Sequence, residues 1–263
     1  MKKILFFILT IAMSFTLMAC GKKNNKTTRL VNEKDWVTPG TLLAQYKEEN
    51  KKVSVVKMTY RFKDDDGIKY MGYMSFVMFN DLAPISTTNF VKLADNGFYD
   101  NLTITRVVTT DLIQGGDPEK TTTSTKKAKQ STIKGEFEEN KVYNNLSHRR
   151  GVISMARTDV YDSASSQFFI VQNTFTSADS NYAAFGWLLE ELKEDKSSYS
   201  VEERTNTMVD GYKILYDYDC LDKICSLSIQ NNTTDGEPVQ LVEIVEATVA
   251  EKNINILDSK YIK

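Results

Sequence analysis

Histidine is nearly missing from this chain. His148 stands alone among 263 residues, and the three cysteines, Cys20, Cys220 and Cys225, form no paired motif. A protein zinc site draws three or four ligands from such residues, so the shortage argues against one, and no metal or other cofactor is expected. Proline and glycine are also scarce, at four and twelve, which argues against a long disordered linker. The formal charge is only −2, so there is no basic footprint for nucleic acid. Cys220 and Cys225 are five apart in a stretch that reads as helix. Their side chains diverge there, a disulfide would need a local break, and both read as structural thiols.

What remains is an ordinary globular balance, 41% hydrophobic and 26% charged, enough for one domain with a sizeable core. The first residues stand apart. Lys2 and Lys3 precede an apolar run over 4–18, short for a membrane span and right for a secretory signal core. Leu17-Met18-Ala19-Cys20 then looks like a bacterial lipobox, with cleavage before Cys20 and a diacylglyceryl group on its thiol. The polar Gly21-Lys22-Lys23-Asn24-Asn25-Lys26 suits the tether after such an anchor. The expected division is a signal peptide over 1–19, a tether and extension over 20–50, a domain over 51–250 and a tail over 251–263.

Within the domain, residues 53–62 and 70–79 are rich in β-branched and aromatic side chains, with Asp64-Asp65-Asp66-Gly67 between them as a hairpin turn. The turn lacks the alternating acids and distal glutamate of an EF-hand. Upstream, Leu42, Leu43 and Tyr46 are spaced like one face of a short helix. Pro84 opens a second helix that ends near Asn96-Gly97 and turns Phe90, Leu93 and Ala94 inward. Residues 219–227 read as a further helix, and 239–249 alternate like a closing strand. Residues 189–211, charged and without clear periodicity, read as a surface insertion. Many short strands and few long connections suit a closed antiparallel barrel, which exposes no sheet edge.

Five separated motifs give that architecture a function. They are Thr105-Arg106-Val107, Gln114-Gly115-Gly116-Asp117, Ser154-Met155-Ala156, Ser166-Gln167-Phe168-Phe169 and Tyr182-Ala183-Ala184-Phe185-Gly186. In this order and spacing they resemble the cyclophilins, the peptidyl-prolyl isomerases, over residues 71–186 and more loosely over 219–249. The resemblance implies a mainly β fold, an eight-stranded antiparallel barrel capped by two helices. It also implies cis–trans isomerisation before proline. Arg106 matches the catalytic arginine, and Gln114 the glutamine that orients it. Gln167 matches a second glutamine that contacts substrate, and Phe169 the aromatic floor of the proline pocket. Ala156 and Arg157 fall where the backbone meets the residue before proline. Leu112 and Tyr182 border the pocket. Alternate side chains of a strand face opposite ways, so one ring of Phe168-Phe169 should enter the core and the other the pocket. His148 reads as structural.

Three positions depart from the family. Asp111 stands where a phenylalanine is usual, Ser177 where a large side chain is common, and Ala178 in place of a leucine. The pocket is therefore expected to be more open and less apolar, with Asp111 turned outward or paired with Arg106 or Arg157. Weaker substrate binding, or a peptide-binding module with little turnover, would follow. The expected partners are proline-containing unfolded or exported polypeptides, met by a monomer held on the outer face of the cell membrane through Cys20.

Overall fold

A computed structural model describes residue 31 and residues 35–190 and 208–262. The expected leader, Cys20 and residues 191–207 of the expected insertion lie outside the described residues.

The chain builds its sheet from two long strands, β1 (Lys52–Lys63) and β2 (Lys69–Phe79), paired antiparallel from Val53↔Phe79 to Lys63↔Lys69. Asp64 makes the hairpin between them. Its carboxylate accepts from the Asp66 and Ile68 amides at 3.1 and 2.9 Å, and Gly67 takes φ +79°. That is the chemistry of an Asx turn followed by a left-handed glycine.

Further strands are β3 (Ile104–Val108), β4 (Leu112–Gly115), β5 (Val152–Met155), β6 (Phe168–Val171), β7 (Ala184–Leu189) and β11 (Glu243–Asn255). They run β3-β4-β6-β5-β7-β2-β1-β11, each neighbour antiparallel to the next. The two ends of this eight-strand path meet. Ile104 N–H donates to the Val242 carbonyl at 2.9 Å, Ile244 N–H donates to the Leu102 carbonyl at 2.7 Å, and Thr103 bridges Glu243. Short strands β8 (Met208–Val209), β9 (Tyr212–Tyr216) and β10 (Asp235–Gly236) lie outside this path; β9 runs parallel to β2, and β10 pairs with β3.

Among the described residues, three helices accompany the sheet. Helix α1 (Pro39–Glu48) is capped by Thr38, whose hydroxyl accepts from Thr41 N–H at 3.2 Å. Helix α2 (Pro84–Asp95) has Ala83 at its cap position and so no local side-chain acceptor. Glu136 supplies one from 50 residues away, accepting from Ile85 and Ser86 amides at 2.9 and 2.7 Å. Helix α3 (Asp217–Cys225) places Asp217 and Asp219 in its first turn and Lys223 in its last, which complements the helix dipole. Cys220 and Cys225 are both free and buried in α3.

Strand alternation sorts the apolar side chains into two clusters. Met58, Tyr60, Phe76, Ile113, Phe168, Ile170 and Phe185 pack with Phe90 of α2 and Leu221 and Ile224 of α3. Val53, Val55, Val77, Leu112, Phe169 and Val171 pack on the opposite face with Leu42 and Tyr46 of α1 and with Ile256 and Ile262. Residues beyond 250 are thus no free tail. Strand β11 continues to Asn255 because Lys52 and Val53 of β1 pair with Asn255 and Ile254.

Candidate active site

The sheet register builds the site. Arg106 of β3 lies opposite Gln114 of β4, and Gln114 lies opposite Phe169 of β6. Residues directly opposite across a ladder share a face, so the three stand in one row. A second row on that face is Val108–Leu112–Val171. The outward direction of Arg106 comes from a register shift between Ile104 and Arg106. Ile104 and Val107 are both buried in the inner cluster at a spacing of three. Regular alternation would forbid that; the extra residue permits it and turns Arg106 and Val108 to the other side.

These rows border a pocket of about 140 Å³. It is lined by Arg106, Asp111, Leu112, Gln114, Ala156, Phe169 and Tyr182, and also by Val108, Phe175 and Asp235, which sequence reasoning missed. Phe169 forms the floor, buried with 4% exposure, while Phe168 enters the inner cluster against Phe90 and Tyr99. Tyr182 stands edge-on to Phe169 at 5.5 Å. Arg157 backs that wall: its guanidinium lies 4.7 Å from the Tyr182 ring centroid and donates to the Asn181 and Thr158 carbonyls.

His148 lies beneath the floor, stacked on Phe169 at 5.8 Å and 15°. Its Nδ1 is 2.8 Å from an Asp179 oxygen and its Nε2 is 3.1 Å from the Ser154 hydroxyl. The trio has the order of a nucleophilic triad. Ser154 and His148 are nevertheless buried at 0% and 1% exposure, so no substrate carbonyl can reach the hydroxyl.

Several expectations need correction. Asp111 pairs with neither arginine; its carboxylate accepts from the Thr110 hydroxyl at 3.2 Å. The acid that engages Arg106 is Asp235, 129 residues away, with Nε and Nη2 each 2.6 Å from a carboxylate oxygen. That pairing raises the Arg106 pKa further above its ordinary value and outweighs the opposing effect of burial. Gln114 donates through Nε2 to Gln167 Oε1 at 2.9 Å, and no hydrogen bond joins it to Arg106. Ser177 and Ala178 do not line the pocket. They lie in a short 3₁₀ turn (Thr176–Ala178) that leaves Ser177 exposed and buries Ala178. Phe175, at the entrance to that turn, supplies the apolar wall instead.

Residues 63–196, just over half of the chain, match the family model for cyclophilin type peptidyl-prolyl cis-trans isomerase/CLD. The chain belongs to the cyclophilin-type family. An Acinetobacter baylyi relative named peptidyl-prolyl cis-trans isomerase is 40% identical over 121 residues, 44% of this chain and 61% of that one. A Staphylococcus aureus relative (strain USA300) is 41% identical over 101 residues, 38% of this chain and 48% of its own. This cyclophilin therefore aligns with less than two thirds of either relative's length. A Cryptosporidium parvum cyclophilin type peptidyl-prolyl cis-trans isomerase, crystallised in the presence of the dipeptide Ala-Pro, superposes with a TM-score of 0.48 at 22% identity. It covers 74% of this chain and 99% of its own.

Proposed function

We propose that this cyclophilin accelerates cis–trans isomerisation of X-Pro bonds in exported polypeptides. Resonance stiffens the X-Pro amide with a barrier of about 18–20 kcal/mol. In the twisted state the proline nitrogen regains a lone pair. A fixed cationic donor aimed there stabilises the twisted form over either planar one, and no nucleophile or metal is needed. The observation that carries the reading is the meeting of Arg106, Gln114 and the Phe169 floor around one pocket. Phe169, Leu112, Phe175 and Tyr182 offer an apolar seat for the proline ring. The linked Gln114–Gln167 pair offers amide groups to the peptide backbone. A protease-coupled isomerisation assay tests this: Arg106→Ala should lower kcat/KM by about 10²–10³-fold, the loss typical of removing one preorganised donor. Wild-type turnover no greater than that of the variant would remove the catalytic reading.

The lipobox at residues 17–20 supports a protein anchored on the outer face of the bacterial cell membrane. Two acyl chains hold a protein there far better than one. A second reading, a low-turnover peptide-binding module, is favoured by Asp111 on the pocket wall. NMR titration with a proline peptide separates the two, since binding alone shifts or broadens the resonances, whereas catalysed isomerisation gives exchange cross-peaks between the cis and trans signals.

A further inference from the structure

We propose that Asp235 is the positioning residue for Arg106, fixing the plane of its guanidinium so that one edge faces the pocket. The inference rests on Arg106 being the donor to the twisted amide. A cation alone does not define a direction, but a guanidinium held by a carboxylate fork does. Asp235 holds Nε and Nη2 at 2.6 Å each, which directs the remaining nitrogen, Nη1, away from the carboxylate. Both residues line the same pocket, so the held group stands at the pocket wall.

Among the described residues, no other side chain hydrogen-bonds the Arg106 guanidinium. Gln114 lies opposite Arg106 across the β3–β4 ladder, but its Nε2 donates to Gln167. Asp111, the other acid of the pocket, accepts from Thr110. The loop carrying Asp235 is itself fixed to β3. Asp235 pairs with Val108 and Gly236 with Val107, while Thr109 N–H donates to the Thr234 carbonyl at 3.0 Å. The base of the loop is tied by the Ile229↔Pro238 bridge and by Gln230 N–H donating to the Glu237 carbonyl at 2.9 Å. Its tip holds the Asp235 carbonyl through the Thr233 hydroxyl at 3.1 Å. The carboxylate therefore has a rigid origin, as a positioning group requires. Misplacement of a reacting group by about 1 Å can cost on the order of 100-fold in rate.

The test compares Asp235→Asn and Asp235→Glu with wild type in isomerisation kinetics, with the Arg106 Nε–H resonance followed by NMR. Asn keeps the shape but loses the charged fork; Glu keeps the fork. The expected result for Asp235→Asn is a kcat lowered about tenfold with KM within about twofold. Its Arg106 Nε–H signal should lose its shift and its protection from exchange. Asp235→Glu should recover both most of kcat and the signal. An Asn variant as active as wild type, or faster, overturns the proposal, the latter by making the pair a competitor of substrate. A slower Asn variant with an unchanged Nε–H signal also overturns it, because the loss then arises elsewhere. Should wild type itself prove no faster than Arg106→Ala, the catalytic reading falls while the Nε–H signal still decides whether Asp235 holds Arg106.

Discussion

Removing the imidazole under the pocket floor separates support from chemistry. In His148→Ala the Phe169 ring loses its 5.8 Å stacking partner, and the Asp179 carboxylate keeps only the Ser147 hydroxyl and the His148 backbone amide of its present donors. Deleting a buried ring costs about 3–5 kcal/mol through lost contacts and the cavity left behind. A hydrogen bond to a charged group adds roughly 1.5–3 kcal/mol, part of it recovered by water at the 12% exposed Asp179 side chain. A total near 5 kcal/mol corresponds to a fall in Tm on the order of 10–20 °C for a domain this size. Proline-peptide affinity should fall as well, because Phe169 can sink into the space. His148→Phe restores the stacked ring but leaves Asp179 short of a donor, so affinity should recover while Tm stays low. Calorimetry and peptide titration on the three proteins read both quantities. A folded His148→Ala variant that binds as tightly as wild type would refute the claim that the imidazole supports the floor.

Two further outcomes follow from buried groups. Glu136→Ala leaves the Ile85 and Ser86 amides at the start of α2 without their acceptor and removes a negative charge from the helix N-terminus. The loss should be about 2–4 kcal/mol, read as a lower denaturation midpoint, and Glu136→Gln should recover part of it; an unchanged midpoint would show that the cap contributes nothing. Burial pushes the Cys225 thiol up to about 12 and the Cys220 thiol well above its ordinary value. Both should resist iodoacetamide in the native protein at pH 8 and react on unfolding. Both favour the neutral thiol when folded, so their contribution to stability is full below an unfolded thiol pKa of about 8.5 and declines as pH rises toward 12; native-state alkylation at the unfolded rate would contradict this.

The sequence made legible those features that depend on local pattern. The turn at Asp64–Gly67 and the opposite facing of Phe168 and Phe169 follow from turn chemistry and from the period of a strand. Helix α2 was equally visible from Pro84, but its cap was not, since Glu136 lies 50 residues away. Partners separated by long stretches of chain leave no local signal. Asp235 is the clearest case, a plain Asp-Gly in a polar loop until β10 sets it beside β3. The extent of β11 was obscured by Glu251, Lys252 and Asn253, which look like a polar tail but continue the ladder against β1. Sequence position alone puts Ser177 and Ala178 at the pocket, but a single 3₁₀ turn takes both from it and presents Phe175.

The site divides into parts with different energetic weight. The floor of Phe169 and His148 belongs to a buried cluster, and truncating a ring there costs several kcal/mol. The side chains of the Arg106–Asp235 pair are 30% and 49% exposed, and partly exposed pairs contribute about 0–1 kcal/mol to stability. Changes in the floor should therefore appear in both Tm and binding, whereas changes in the ion pair should appear in turnover with Tm nearly unmoved. The strands that set the floor also set the row holding Arg106 and Gln114, so the row cannot vary without disturbing the sheet. The loop over 230–238 is held to the sheet more lightly, meeting β3 through two residue pairs and a neighbouring amide. Orientation of the cation can thus be tuned from that loop while the pocket floor and the fold stay as they are.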